Sequence, residues 1–391
     1  MGIVRYRMNS NFFISIVGCM LLFSCSSEKP LKIEENSKYS IEVSDVLRKY
    51  YYDDQSYPLF GRSKSFITKD TSLIVAPDKK NHAIDFYSSK GGEALMSLEL
   101  DLEGPEGVSK ISNVQFKNDT LFIVDAFAYQ LVLFDLKGKV IRRIKLIDPE
   151  KPFTILPRYF ANSEMNVIGE HVYFIGDADL NVSNKKTYKN SKTLISVDLS
   201  NGRISYHFGL PDILTENYWV INQYFFSATN VDPNTWVYAY DLSDSIYIYK
   251  LNSREVERVH APSKFHKELP KWNKKDLNSE DAYKYYLSQT SYYKIVYDPY
   301  RKYYYRFVNH PNQSAVLEGN LDDMWIRDYS VMVLDSNFNL LTERVFERDE
   351  GISQVEVINE DGFWQPLIES GKRDIEGIKT YVKLEIVENE K

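Results

Sequence analysis

Few residues in this 391-residue chain have the type and spacing that chemistry requires. The six histidines (His82, His171, His207, His260, His266 and His310) fall in different segments, with no metal-ligand spacing. His-Glu-x-x-His, Gly-x-Ser-x-Gly, a phosphate-cradling Gly-rich loop and an EF-type loop are all missing from the sequence. Asp322-Asp323, near Trp325 and Arg327, is the best carboxylate pair. Glycosidic acid–base work needs two carboxylates facing each other across roughly 5–9.5 Å. Neighbours in an extended segment point apart, so this pair reads as a solvated loop. No catalytic residue, metal or cofactor is assigned. Three side chains stand as ligand-binding candidates: Arg306, Asp298 and Trp325. A guanidinium facing a central channel would donate in pairs to a carboxylate or to sugar hydroxyls. The competing reading of Arg306 is a structural pair with Asp298. Asp125 and Asp177 each follow an apolar strand and read as acceptors for backbone donors at corners.

The residue with the clearest chemistry is Cys25. Arg5 and Arg7 give a short positive segment, Phe12 to Phe23 is apolar but for Ser15 and Gly18, and the run ends in Leu22-Phe23-Ser24-Cys25. The apolar run suits a signal peptide and is too short for a membrane span of about 20 residues. Leu at −3 and a small residue at −1 resemble a lipobox, with Phe23 departing from the usual −2 residue. The expectation is a signal peptide over 1–24, acylated Cys25, a flexible tether over 25–37 and one domain over 38–391. The partner of the acyl chains is the bilayer. Ser26 in place of Asp favours the outer membrane, with either face open. Cys25 would be the sole thiol after cleavage, which excludes an internal disulfide. Loss of Arg5 and Arg7 takes the formal charge from −7 to −9. Nucleic acid, which needs concentrated basic surface, is excluded as a partner.

The elements that must position these residues repeat. Ile111–Phe116, Thr120–Val124, Gln130–Asp135 and Val140–Leu146 are four strands in under 40 residues, with turn residues at each joint. That is the size of one propeller blade. Equivalent units start at Ser65, Met165, Tyr224 and Tyr292, whereas Ile352–Ile358, Gly362–Leu367 and Tyr381–Val387 supply only three strands. Tyr39–Val43 alternates as a strand and is expected to complete this last blade and close the ring. The fold class is therefore all-β, a six-bladed propeller of four-stranded antiparallel blades with an N-terminal closing strand. Ser44–Tyr52 reads as a short helix, and 261–290 as a long insert with a helix from Asn278-Ser279-Glu280-Asp281 to about Leu287. The inserts 261–290, 177–191, 309–328 and 369–378 should gather on one mouth of the ring. The 30 tyrosines read as packing between blades, with Tyr304 facing away from Tyr303 and Tyr305.

The segment Tyr297-Asp298-Pro299-Tyr300-Arg301, continuing to Tyr304-Tyr305-Arg306-Phe307, resembles a motif in a family of Gram-negative lipoproteins of unknown function. Thr120–Asp125 and Leu133–Gly138 resemble NHL-type repeats. The resemblance implies a lipobox, a similar length and a six-bladed propeller; it implies no reaction. The functional expectation is a membrane-anchored, non-catalytic binding or scaffold propeller for a glycan, peptide or protein partner. The alternatives are a glycan lyase or hydrolase on this scaffold, or a structural subunit of an envelope or uptake assembly.

Overall fold

The computed structural model describes residues 38–53, 55–58, 64–67, 72–148, 164–178, 184–216, 218–220, 226–267, 272, 274, 276–277, 279–312, 316, 327–347, 356–367 and 377–389. The signal peptide, Cys25 and the tether lie outside them, as do Asp322, Asp323 and Trp325.

Six four-stranded antiparallel sheets form the blades of a propeller. The first blade is β2 (Lys64–Ile67), β3 (Ser72–Asp78), β4 (Ala83–Ser88) and β5 (Ala94–Glu99). The second is β6 (Ile111–Lys117), β7 (Thr120–Asp125), β8 (Gln130–Asp135) and β9 (Val140–Lys145). The third is β10 (Met165–Ile168), β11 (His171–Ala178), β12 (Lys192–Asp198) and β13 (Ile204–Tyr206). The fourth is β14 (Phe226–Asp232), β15 (Thr235–Tyr240), β16 (Ser245–Lys250) and β17 (Val256–His260). The fifth is β18 (Ser291–Asp298), β19 (Tyr303–Asn309), β20 (Tyr329–Leu334) and β21 (Leu340–Phe346). The sixth joins β22 (Val357–Asn359), β23 (Gly362–Pro366) and β24 (Ile378–Glu388) to β1 (Tyr39–Tyr51), which lies outermost.

The closing strand is longer than its sequence pattern suggests. β1 pairs with β24 from Tyr39↔Glu388 to Tyr51↔Ile378, with a register shift between Val43 and Leu47. Ser44–Tyr52 is therefore not a helix: an irregularity breaks the alternation, and the strand resumes beyond it. Past the shift, Arg48 lies 3.8 Å over the Trp364 ring and bonds Asp361 at 3.1 Å. Tyr50 is fully buried against Tyr87 and Tyr381.

The core is six apolar wedges, one at each blade junction. Middle strands are buried on both faces and so read as continuous apolar runs; outer strands have one face in water and carry the charges. The tyrosine-rich segment of β19 obeys the strand period: Tyr304 packs toward the fourth blade with Phe338, while Tyr305 stacks on Phe363 of the sixth at 4.0 Å.

Strand direction alternates within a blade. Connections between blades and the hairpins between middle strands therefore share one mouth. Long inserts at such joints leave all six sheets undisturbed.

Candidate functional site

The innermost strands β2, β6, β10, β14, β18 and β22 surround the axis, and each carries or adjoins polar residues in an otherwise apolar setting. Counted back from the first hairpin of each blade, Lys64 is three residues before Ile67, Glu164 four before Ile168, Lys294 four before Asp298 and Glu356 three before Asn359. Those counts, three or four residues from the hairpin, place two lysines and two glutamates at similar levels of their strands. Lys64 of the first blade feels the charges of both Glu164 and Lys294, from the third and fifth blades.

The belt is bonded across blade junctions. Lys64 Nζ donates to Asn113 Oδ1 at 3.0 Å, and Gln115 Nε2 to Asn166 Oδ1 at 3.3 Å. Glu164 accepts from Asn166 Nδ2 and from the Asn230 amide, both at 2.7 Å. Lys294 Nζ meets Glu356 Oε2 at 2.5 Å, with both side chains nearly buried. Between the fourth and fifth blades, Ser227 Oγ accepts from the Ile295 amide at 3.1 Å and Thr229 Oγ1 from the Tyr297 amide at 3.2 Å. Burial and the nearby Lys294 charge bring the Lys64 ammonium down to about 8, against the pull of Glu164. Burial raises the Glu164 and Glu356 carboxyls. Gln115 Oε1 is buried and accepts no hydrogen bond among the described residues.

Above this belt the inserts meet. Helix α1 (Asp212–Thr215) and helix α2 (Glu280–Leu287) lie in the third-to-fourth and fourth-to-fifth blade connections. Ser279 caps α2 as its sequence suggests, accepting from the Ala282 amide at 3.3 Å. Val220, Trp272, Leu277, Ala282, Tyr286 and Leu287 form a satellite core with Val316 against it. Arg327 Nη2 donates to Tyr286 Oη at 3.0 Å, and the Asn312 amide to the Leu287 carbonyl at 2.8 Å. The 3-10 turn Lys185–Asn190 joins from the third blade, Tyr188 lying 5.1 Å from Trp219. The described parts of 177–191, 261–290 and 309–328 thus share one mouth; residues 369–376 lie outside the described set. Beneath α2, Asp241 is buried, accepts from Ser291 Oγ, and is pushed up to about 6 by burial, opposed by Ser291 and Arg327.

The candidates chosen from sequence fall elsewhere. Arg306 is fully buried at the junction of the fourth and fifth blades, 3.8 Å over the Tyr292 ring. Its guanidinium donates to the carbonyls of Ser243 (2.6 Å), Ala261 (2.6 Å), Asp244 (2.9 Å) and Ser245 (3.3 Å). It neither reaches the channel nor pairs with Asp298. Asp298, also fully buried, accepts from the Tyr300 and Arg301 amides at 2.9 and 3.0 Å and from Arg301 Nη1 at 2.8 Å. Arg301 in turn donates to the carbonyls of Asn359 and Glu360 in the sixth blade. The Tyr297–Phe307 motif therefore clamps the fifth blade to both neighbours. Asp125 acts as expected at its corner: burial pushes its carboxyl up, and donors from Ser109, Ala128 and Phe127 more than offset this, leaving it lowered.

Two histidines converge despite their separate segments: His260 Nε2 lies 2.8 Å and His266 Nε2 3.8 Å from Asp244 Oδ2, fastening the start of the insert to the fourth blade. Among the described residues no group of three or more His, Cys, Asp and Glu is placed to hold a metal ion. Nor is any helix there long and apolar enough to cross a membrane.

The belt was missed because each member looks like one stray polar residue in a strand. Stacking the inner strands by their hairpins was the available signal.

A family described as "Domain of unknown function (DUF4221)" matches residues 38–345. A crystal structure of a DUF4221 family member from Bacteroides vulgatus ATCC 8482 is similar over 90% of this chain and 99% of its own, with 15% identity and a TM-score of 0.78. A protein from Bacteroides fragilis NCTC 9343, described as exported, is similar over 88% of this chain and 95% of its own, with 9% identity and a TM-score of 0.54. No curated protein matches.

Proposed function

As the chain belongs to the DUF4221 family, whose function is unknown, we propose a role from its own geometry. It is an exported, lipid-anchored, non-catalytic propeller that binds a glycan, peptide or envelope-protein partner at the insert-bearing mouth. The observation that carries this reading is the convergence of inserts from several blades on one mouth of a rigid ring, the arrangement binding loops commonly take. Leu102, Phe127 and Ile147 extend that mouth over the second blade, at 59%, 67% and 46% exposure. Their connections all belong to the same mouth, and solvent-facing apolar side chains of this size suit a partner's surface.

The closing strand begins at the opposite mouth, where Lys38 O accepts from the Asn389 amide at 2.8 Å. A 13-residue tether from Cys25 spans at most roughly 45 Å. The chain enters the ring at that mouth, and the acyl chains would place the protein at a membrane. The exported relative and the lipobox support this placement.

A photo-crosslinking residue at Phe127, compared with one at Leu95 on outer strand β5, tests the reading in membranes carrying the full chain. Adducts at position 127 and none at 95 are expected; equal labelling would remove the claim of a binding mouth. Cys25→Ser should move the protein from the detergent phase to the aqueous phase, and unchanged partitioning of a correctly cleaved variant would end the lipid-anchor proposal.

A further inference from the structure

We propose that His260 and His266, which close on the Asp244 carboxylate, form a proton-operated latch that holds the mouth insert 261–290 more tightly below neutrality than above it. This goes beyond the binding reading above and does not rest on it.

Two imidazoles converge on one oxygen. His260 Nε2, at the end of β17, lies 2.8 Å from Asp244 Oδ2, and His266 Nε2, inside the insert, lies 3.8 Å from it. At 3.8 Å a neutral ring makes no hydrogen bond, whereas a protonated ring is still drawn to the carboxylate. The second contact therefore gains its value with the proton. Both histidine side chains are 28% exposed and the aspartate 22%, so protons reach the cluster while water screens it only in part. An imidazole is also the side chain whose ordinary change of charge falls between about pH 5 and 8. Protonated rings on a carboxylate stabilise the folded root of the insert at the acid side of that range. The contribution is lost as pH rises through it.

The other charged neighbours leave this carboxylate to the histidines. From β19, Arg306 feels its charge but donates to backbone carbonyls, that of Asp244 among them. From β17, Arg258 Nε donates to Ser245 Oγ at 2.9 Å. From β18, the Tyr292 hydroxyl, raised by burial, accepts from the Ser263 amide at 3.1 Å. From β21, Glu343 accepts from Ser263 Oγ at 2.6 Å and from the Lys264 amide at 3.0 Å. The His310 ring lies 4.1 Å from the Phe265 ring, and burial lowers its tendency to hold a proton. Burial pushes the Asp244 carboxyl up, but His260, Ser245 and His266 more than offset this, so it is charged wherever an imidazole titrates. The grip also reaches the mouth. Thr290 Oγ1 donates to the Phe265 carbonyl at 2.8 Å, tying the exit of the insert to its entry with α2 between them.

Hydrogen exchange read by mass spectrometry on the full chain in detergent, at about pH 6 and pH 8 and corrected for intrinsic rates, provides the test. Amides of 261–290 should be protected roughly fivefold better at the lower pH, the combined effect of two partly exposed ion pairs. Amides of outer strand β9 should show no such difference. The double variant His260→Gln, His266→Gln keeps side-chain donors for Asp244 but takes up no proton, and it should lose the difference. Asp241 titrates beneath α2 in both chains, so the latch is read as the part of the wild-type response that the double variant lacks. Asp244→Asn, which leaves the backbone carbonyl for Arg306, should lose the same part, and melting temperatures verify that each variant folds. An equal pH response in the wild type and either variant, or none in the wild type, would overturn the latch. Adducts at position 127 bear only on the binding mouth and stand or fall separately.

Discussion

Arg306 is a fully buried cation and Lys64 a partly buried one, and the contrast lies in what holds each of them. Arg306 sits where two blades meet and donates to four backbone carbonyls of the neighbouring blade, with an aromatic ring over its plane. Its position is over-determined, and a ligand could reach it only by dismantling a blade junction. Lys64 lies on an innermost strand, donates to the Asn113 side-chain amide, and feels charges of both signs on other blades. A buried charge held through both terminal nitrogens by backbone carbonyls fastens the fold. The motif that first drew attention, Tyr297 to Phe307, belongs wholly to that kind.

The contrast can be broken or sharpened by substitution. The largest expected effect is at the fastening: Arg306→Ala removes a charged donor from four carbonyls and should cost about 3–5 kcal/mol in urea unfolding. A loss under about 1 kcal/mol would place Arg306 with the belt. Next, Lys294→Met strands Glu356, whose carboxyl burial already raises, and should cost about 2–3 kcal/mol. Adding Glu356→Leu should restore stability to near the wild type, because the pair owes most of its cost to desolvation. A double variant as unstable as the single one would make this pair structural too.

Asp241 gives a smaller effect with a pH signature. Its folded-state value is raised from 3.8 to about 6, so the native state holds the proton more tightly than the unfolded chain does. Its contribution is greatest below about pH 4 and declines as pH rises toward 6, by on the order of 2 kcal/mol. Asp241→Asn should flatten that part of the stability profile; a profile identical to the wild type would mean that the carboxyl is hydrated. The smallest change is expected from Glu164→Gln. It keeps an oxygen for one of the Asn166 and Asn230 donors and turns an amide nitrogen toward the other, which should cost about 1 kcal/mol in urea unfolding.

Blades were legible in the sequence wherever burial is total. Leu121–Val124 and Leu131–Phe134 are apolar runs bounded by turn residues, and nothing but a doubly covered strand suits that length and composition. β1 was half legible. Tyr39–Val43 alternates, but past the register shift Val46, Leu47 and Tyr50 fall at spacings that mimic one face of a helix. The belt was not legible, because Lys64, Glu164, Lys294 and Glu356 are far apart in sequence and become neighbours only through the ring. His260 and His266 escaped for the same reason, since Asp244 reaches them from a different hairpin.

The pairing of β1 with β24 also has a mechanical meaning. Any pull on the chain ahead of Tyr39 enters β1 along its own length, while the other end of that strand leads on into the first blade. The ten register pairs between Tyr39 and Tyr51 then share the load in shear and do not open one after another from the end. Arg344 adds a lateral strut from the fifth blade to the Ile41 carbonyl, within the segment that takes the strain first. The strand that closes the ring is thus also the one through which any pull on the preceding chain must pass.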